Sequence, residues 1–317
     1  MKKYILTLAI LFLLTSCNNY TAEFDADSSE QQKAETSLSY NNNSELSISN
    51  VENTDDDSNN SYIFDEEKIY NLSYLYNLKN TDYGKVSKLK VCIDFFNDKV
   101  EVLEKYTNLE ELWIYSDSFS YDYQGKDEFE FLKNYSKLKS LTITAECAVF
   151  DINYIQNSPQ LFSLALNGFD KINNFKEIVL FSKMEAISLY GENNVGPIID
   201  DLDCLSNLPQ IKYLLLDNIR VSKNKGYTDL NWLNDILELE ELHLFRFNDV
   251  CQITSMSNLN KLCILEMLRF NNLENYAFLY DLSNLKQFSY TKYYIEDSVI
   301  SEFRKNNPNC EIQCVQS

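Results

Sequence analysis

The sequence contains few side chains that could carry out chemistry. Its single histidine, His243, lies between Leu242 and Leu244, so at most one imidazole is available to a general base or a metal site. The flanking leucines predict that His243 is an isolated surface residue on the solvent side of a strand. No glycine-rich phosphate loop is present, and such a loop marks many nucleotide sites. We therefore expect no enzyme activity, no cofactor and no metal site.

The eight cysteines do not follow the spacing of a metal site or of a disulfide framework. No pair of Cys-x-x-Cys motifs, the usual signature of structural zinc, is present. Seven cysteines remain besides Cys17, which is an odd number. Cys310 and Cys314 could form a bridge only if the chain between them bends, because a disulfide needs Cα atoms within about 7 Å. The sequence leaves open whether any thiol forms a disulfide.

The N-terminal segment has the form of an export signal. Lys2 and Lys3 precede an apolar run of 11 residues, Tyr4 to Leu14. This run is too short to span a membrane, because a spanning helix needs about 20 residues. It ends in Leu14-Thr15-Ser16-Cys17, which resembles the lipobox of bacterial lipoproteins. The resemblance implies a lipoprotein signal peptide over residues 1–17, lipidation of Cys17, and a location in the cell envelope, anchored by lipid and facing outside the cytoplasm.

Residues 18–61 form an acidic segment rich in asparagine and serine. The segment has ten acidic residues and one basic residue, and its apolar residues are isolated. We expect a disordered tether, because such a composition buries too little apolar surface to offset the lost chain entropy. Asp55, Asp56 and Asp57 lack the glycine and glutamate of an EF-hand, so we interpret them as a solvated charge run. The net charge of −20 argues against nucleic-acid binding.

One apolar motif recurs along the remaining chain: an apolar residue, two others, an apolar residue, one other, and an apolar residue. The copies begin at Val86, Leu109, Leu138, Leu161, Met184, Ile211, Leu239, Leu262 and Leu285. Five of the eight intervals are 23 residues long, and apolar or aromatic residues also recur six and nine positions before the copies. These two spacings predict a short strand and a tight helical turn in each repeat.

The repeats resemble the leucine-rich repeats, about 22–23 residues long, of internalin-like and other bacterial surface proteins. The resemblance covers about residues 77–315 and implies an α/β solenoid, or horseshoe. Its parallel strands would line the concave face, and short helical or 3-10 segments would line the convex face. The asparagine that usually follows the strand is irregular, because Asn218, Asn248 and Asn271 lie nearby but Phe169 and Tyr293 occupy the equivalent stretch elsewhere. We therefore expect the fold without a regular asparagine ladder.

The solenoid domain is expected to span residues 62–317, with caps at both ends. Apolar residues within Ile63–Leu78 predict a helical N-terminal cap, and Ser298–Arg304 and Asn309–Cys314 predict a short helix and a last edge strand. Three intervals carry extra residues, which predict loops on one side of the horseshoe. These are Ser116–Asp127, Glu192–Pro197 and Val221–Thr228.

Function is expected on the concave face. Side chains alternate along a strand, so the residues between the motif positions are predicted to face solvent. The candidate partner-binding residues on this face are Trp113, Tyr115, Tyr190, Tyr213, Leu215, His243, Phe245 and Leu268. Aromatic residues are typical interface hot spots, so we predict that this face binds a protein or glycan partner. We also expect the protein to be a monomer. The same rings could instead reflect the tyrosine-rich composition, and the loop at Ser116–Asp127 could cover Trp113.

A second function remains open from the sequence. The chain could be a structural or assembly lipoprotein of the cell envelope that has no soluble ligand. The repeat does not distinguish the two functions, because one fold serves many functions.

Overall fold

The computed structural model describes most of the repeat region. The described residues are 68–78, 82–94, 100–116, 129–145, 149–191, 196–222, 228–247, 251–270, 273, 275–292 and 294–316. Cys17, the segment 18–61 and most of the three inserted loops lie outside them.

The main sheet contains eleven described strands, and every neighbouring pair is parallel. In chain order these are β1 Ile69–Asn71, β2 Lys88–Cys92, β3 Glu111–Ser116, β4 Ser140–Ala145, β5 Ser163–Asn167, β6 Ala186–Tyr190, β7 Tyr213–Asp217, β8 Glu241–Phe245, β9 Ile264–Leu268, β10 Gln287–Thr291 and β11 Glu311–Val315. The spatial order equals the chain order. Each repeat therefore pairs only with the repeats before and after it, as in a solenoid.

Short 3-10 helices form the opposite side of the repeats. Their bounds are Tyr83–Lys85, Val100–Lys105, Glu130–Asn134, Ile152–Ile155, Phe175–Leu180, Asp203–Asn207, Asn231–Asp235 and Ala277–Asp281. Two small parallel sheets accompany them. One contains Val149–Asp151, Lys171–Asn173, Ile198–Ile199 and Arg220–Val221, and the other contains Thr228–Asp229 and Cys251–Gln252. The chain is a leucine-rich-repeat solenoid, with parallel strands on one face and 3-10 turns on the other.

The core lies between these two layers, at the positions that the motif predicts. All three motif positions are buried in all nine copies, and so are all the apolar residues six positions before a copy. Equivalent aliphatic residues lie in register across the sheet, as Leu141, Leu164 and Ile187 do in β4, β5 and β6. These stacked side chains fuse the repeats into one continuous hydrophobic core.

Aromatic packing replaces an asparagine ladder in part of this core. Phe129, Phe150 and Phe169 are buried, and their ring centroids lie 5.6–5.8 Å apart. Further along, the rings of Phe247 and Phe270 lie 5.2 Å apart. This packing explains why phenylalanine occupies position 169, at which asparagine is usual.

The caps agree with the sequence prediction in part. The N-terminal helix α1 is Leu72–Asn77. Of the helix predicted within Ile63–Leu78, Ile69–Asn71 are extended instead, and residues 63–67 lie outside the described residues. Ile69–Asn71 form β1, which pairs with β2, because a free strand edge offers hydrogen bonds to an extended segment. At the other end, α2 is Asp297–Asn306 and packs Phe303 on Phe288 of β10. The predicted edge strand is β11. No helix among the described residues has the length and hydrophobicity of a membrane span.

Candidate functional site

The outward side chains of the strands form three rows across the concave face. Strand pairing places Glu111, Ser140, Ser163, Ala186, Tyr213, Glu241 and Ile264 in the first row. The middle row contains Trp113, Thr142, Ala165, Ser188, Leu215, His243 and Glu266. The third row contains Tyr115, Thr144, Asn167, Tyr190, Asp217, Phe245 and Leu268. Every predicted partner-binding residue therefore lies on one face.

Large and small side chains are segregated along these rows. On β4 and β5 every side chain of the three rows is small or an asparagine, and on β6 only Tyr190 is large. Trp113 and Tyr115 stand on one side of this floor, and Tyr213 and Leu215 stand on the other side. Parallel strands are about 4.8 Å apart, so the four strand steps from β3 to β7 span roughly 19 Å. The predicted residues therefore form two clusters with a shallow floor between them.

The N-terminal cluster combines rings with lysines. Lys90 Nζ lies 5.4 Å from the centroid of the Trp113 ring, and the Trp113 and Tyr115 centroids are 6.5 Å apart. Lys88 Nζ lies 3.4 Å from Glu111 Oε1. Both rings are half-buried. Burial raises the pKa of Tyr115 to about 12, so its hydroxyl stays protonated near neutral pH.

The C-terminal cluster is centred on His243, which is buried with only 5% of its surface exposed. Its Nδ1 lies 2.8 Å from Glu266 Oε2 on β9. Its Nε2 lies 3.9 Å from Glu241 Oε2 on its own strand, which is too long for a hydrogen bond. The rings of Tyr213 and Phe245 have centroids 5.1 and 5.9 Å from the imidazole centroid.

The two carboxylates raise the pKa of His243. Burial, the largest influence, acts to lower this pKa, but the hydrogen bond to Glu266 and the negative charges of Glu241 and Glu266 outweigh it. The same surroundings act on the Tyr213 hydroxyl, whose pKa is raised by burial and by the two glutamates. The cluster therefore favours a protonated imidazole and a neutral phenol.

A third group of side chains ties together the ends of β6, β7 and β8. Arg246 donates two hydrogen bonds to the buried carboxylate of Asp217, from Nε at 2.7 Å and from Nη2 at 2.8 Å. It also donates to the carbonyl of Gly191, and its guanidinium lies 5.1 Å from the centroid of the Tyr190 ring. Tyr190 is therefore held in place by a cation on its face.

The structure corrects the expected exposure of three predicted residues. Tyr213, Leu215 and His243 face the concave side as predicted, but they are buried. Large side chains on three adjacent strands cover one another there. Trp113, Tyr115, Tyr190, Phe245 and Leu268 remain half-buried.

Arg246 was missed by the sequence interpretation. It comes directly after a strand, at a position where glycine or asparagine is expected, and has φ of 51°. No sequence signal linked it to Asp217, 29 residues earlier.

The bridge considered between Cys310 and Cys314 is not formed. Cys310 and Cys314 are free thiols. The four residue steps of extended chain from Cys310 to Cys314 span about 13 Å, which is too far for a disulfide. Among the described residues, no group of three or more histidine, cysteine, aspartate or glutamate side chains could hold a metal ion.

Comparisons with known proteins yield fold neighbours only. No protein-family model matches the sequence, and no curated protein matches it. An internalin from Listeria monocytogenes is 17% identical, with a TM-score of 0.46, over 73% of this chain and 68% of that one. A leucine-rich-repeat protein from Leptospira interrogans is 13% identical, with a TM-score of 0.23, over 73% of this chain and 84% of that one. The Drosophila Toll–Spatzle complex is 13% identical, with a TM-score of 0.48, over 74% of this chain and 34% of that one.

Proposed function

We propose that this protein is a recognition module whose concave face binds a partner protein, and that lipid on Cys17 anchors it in the cell envelope, facing outside the cytoplasm. The observation that carries the recognition function is the convergence of half-buried aromatic side chains on one rigid face. Trp113, Tyr115, Tyr190 and Phe245 all lie in the outward rows of the main sheet.

The arrangement supports binding because the residues are held before a partner arrives. Each inner strand is hydrogen-bonded on both sides, and Lys90 and Arg246 lie against the Trp113 and Tyr190 rings. A fixed ring loses little conformational freedom when it is covered, so more of the contact energy appears as affinity. Half-buried aromatic side chains on a rigid sheet are among the residues that most often dominate the binding energy of an interface.

The first step of the test is to find the partner. The full chain, expressed in its native cells with a cross-linkable amino acid in place of Thr142 on the floor, is irradiated and its adducts are identified by mass spectrometry. We expect one specific protein adduct. The same substitution at Tyr280, an exposed residue of the Ala277–Asp281 helix, is the control and should not capture that protein. Capture at Tyr280 but not at Thr142 would contradict concave-face recognition.

The second step measures the ring contributions. Trp113→Ala, Tyr190→Ala and Phe245→Ala should each keep the circular dichroism spectrum and weaken binding by about 1–4 kcal/mol, as hot-spot residues do. Tyr280→Ala is the matched aromatic control and should bind as the wild type does. Wild-type binding by all three concave variants would move the interface elsewhere. Adducts with envelope glycan alone, or recovery only in insoluble envelope fractions, would favour the glycan or structural alternatives.

A further inference from the structure

The C-terminal cluster contains an unusual acceptor pair. His243 Nε2 is buried, has no hydrogen-bond partner among the described residues, and lies 3.9 Å from Glu241 Oε2. The other ring nitrogen is engaged, because Nδ1 contacts Glu266 at 2.8 Å. A buried polar atom without a partner is costly. When the imidazole is neutral, Nε2 is an acceptor, so a ligand that donates a hydrogen bond to it would then be favoured.

We propose that Glu241 and His243 form a binding site for a lysine ammonium group of the partner protein. The inference rests on the proposed function, because it assigns one side chain of the partner to one place on the concave face. In the bound state His243 is neutral. Its Nδ1–H donates to Glu266, and the ammonium donates one hydrogen bond to the Nε2 lone pair and another to the Glu241 carboxylate.

The geometry favours a compact cation. A nitrogen placed about 2.8–3.0 Å from each acceptor can bridge a gap of 3.9 Å. An ammonium has three rotatable donors on a single nitrogen, whereas a guanidinium is a wide planar fork. The Tyr213 and Phe245 rings lie beside the imidazole, and aromatic faces attract a cation that has lost its water. The Glu241 side chain is 27% exposed, so an ammonium can approach the pair from the solvent side of this carboxylate.

Charge also favours a cation over an anion. Glu241 and Glu266 are the charged groups that face His243, and Tyr213 on β7 contributes a neutral phenol. Two carboxylates and one neutral imidazole leave an excess of negative charge. A proton on His243 neutralises part of this excess, and the raised pKa of His243 shows that the cluster attracts that proton. The ammonium and the proton therefore compete, and binding releases a proton from any His243 that was charged.

The experiment uses the fact that His243 is the only histidine of the chain. The full chain is labelled with ¹⁵N-histidine, and the two imidazole nitrogens are followed by NMR at constant ionic strength. The probe is Nα-acetyl-lysine methylamide, and its Nε-acetylated form is the uncharged control. We expect a saturable shift of Nε2 with the ammonium compound alone. The apparent pKa of His243 should fall as the probe is added, and affinity should rise with pH.

Two variants localise the effect. Glu241→Gln should weaken the probe about tenfold, the loss expected for a hydrogen bond to a charged group. Glu302→Gln on α2 changes the net charge equally on an exposed site that pairs with Lys305, and it should bind as the wild type does. The proposal is overturned if the His243 signals do not move, if the acetylated probe moves them equally, or if both variants weaken binding alike.

The same variants separate this inference from the proposed function. If the captured partner depends on Trp113, Tyr190 and Phe245 but binds Glu241→Gln and His243→Gln as tightly as the wild type, the lysine site is wrong and recognition stands. If the probe shifts His243 and no concave-face partner exists, the ammonium site stands and protein recognition fails.

Discussion

At the scale of single residues, Arg246 combines a strained backbone with a buried ion pair. Its φ of 51° lies in the left-handed region, which costs a non-glycine residue roughly 1–2 kcal/mol. Its guanidinium nevertheless holds the buried Asp217 carboxylate. Burial raises the pKa of Asp217 even though the hydrogen bonds and charge of Arg246 lower it. The carboxylate therefore depends on its cation, and the strain is offset by side-chain contacts to β6 and β7.

Removing the cation should be costly. Arg246→Ala leaves Asp217 buried without its ion-pair partner, so we expect a loss of about 3–5 kcal/mol in unfolding free energy, measured by urea denaturation. The control is Arg269→Ala, because Arg269 also follows a strand, has φ of 53°, is exposed, and acts on Asp217 more weakly than Arg246, through its charge. Equal losses in the two variants would mean that the turn, and not the ion pair, sets the stability.

His243 makes stability depend on pH in a defined direction. Its folded pKa is raised above the ordinary value of 6.5, so the native state holds the proton more tightly than the unfolded chain does. The resulting stabilisation is complete below the unfolded pKa of about 6.5 and disappears as pH rises through the folded pKa.

His243→Gln should remove this dependence. Wild-type unfolding free energy should decrease between pH 6 and pH 9, and the decrease should be smaller in the variant because no other histidine is present. Urea titrations at both pH values measure the difference. If the wild type gains stability over this interval relative to the variant, the glutamates do not hold the imidazole proton.

The alternation of side chains along each strand predicted which face the candidate residues share, but it could not predict how far each side chain is buried. The burial of each side chain depends on its neighbours on adjacent strands, which are distant in the sequence, as Glu266 is 23 residues from His243. His243 becomes buried because Tyr213, Phe245 and Glu266 surround it. Thr142 belongs to the same row but is only half-buried, because one of its two neighbours across the sheet is the small Ala165.

At the scale of elements, the apolar motif predicted the repeats because each strand buries the same three positions. The residues that departed from prediction were at the ends. Ile69 has an apolar spacing that fits a helix, yet it extends and pairs with β2, since the first full repeat would otherwise leave its edge unpaired. Local periodicity contains no information about such a neighbour.

Leu164 tests the element that the motif defines. It lies in the central strand β5, in register with Leu141 and Ile187, and is buried. Leu164→Ala should lower the unfolding free energy by roughly 2–5 kcal/mol, because the neighbouring repeats cannot fully close the cavity. Leu180→Ala is the matched control, because Leu180 is 59% exposed on a 3-10 helix. Urea denaturation measures the unfolding free energies. An equal loss in Leu164→Ala and Leu180→Ala would contradict the stacked core.

At the scale of the whole molecule, each repeat contacts chiefly its neighbours, and no helix in the described part of the chain is long and apolar enough to span a membrane. We propose that anchoring depends on Cys17, where the lipobox resemblance implies the lipid. One acyl chain gives only marginal membrane binding, whereas two or more give stable anchoring. The net charge of −20 adds no attraction to an anionic membrane surface.

Replacing one sulfur atom should then release the entire protein. Cys17→Ala removes the thiol that would carry the lipid and leaves every described residue unchanged, so the fold should persist while membrane retention is lost. We expect the wild type in the detergent-rich phase of a detergent partition and the variant in the aqueous phase. Cys314→Ala, which removes an exposed thiol of β11, should partition as the wild type does. A Cys17→Ala protein that remains with the detergent would show that something other than lipid on this cysteine holds the chain.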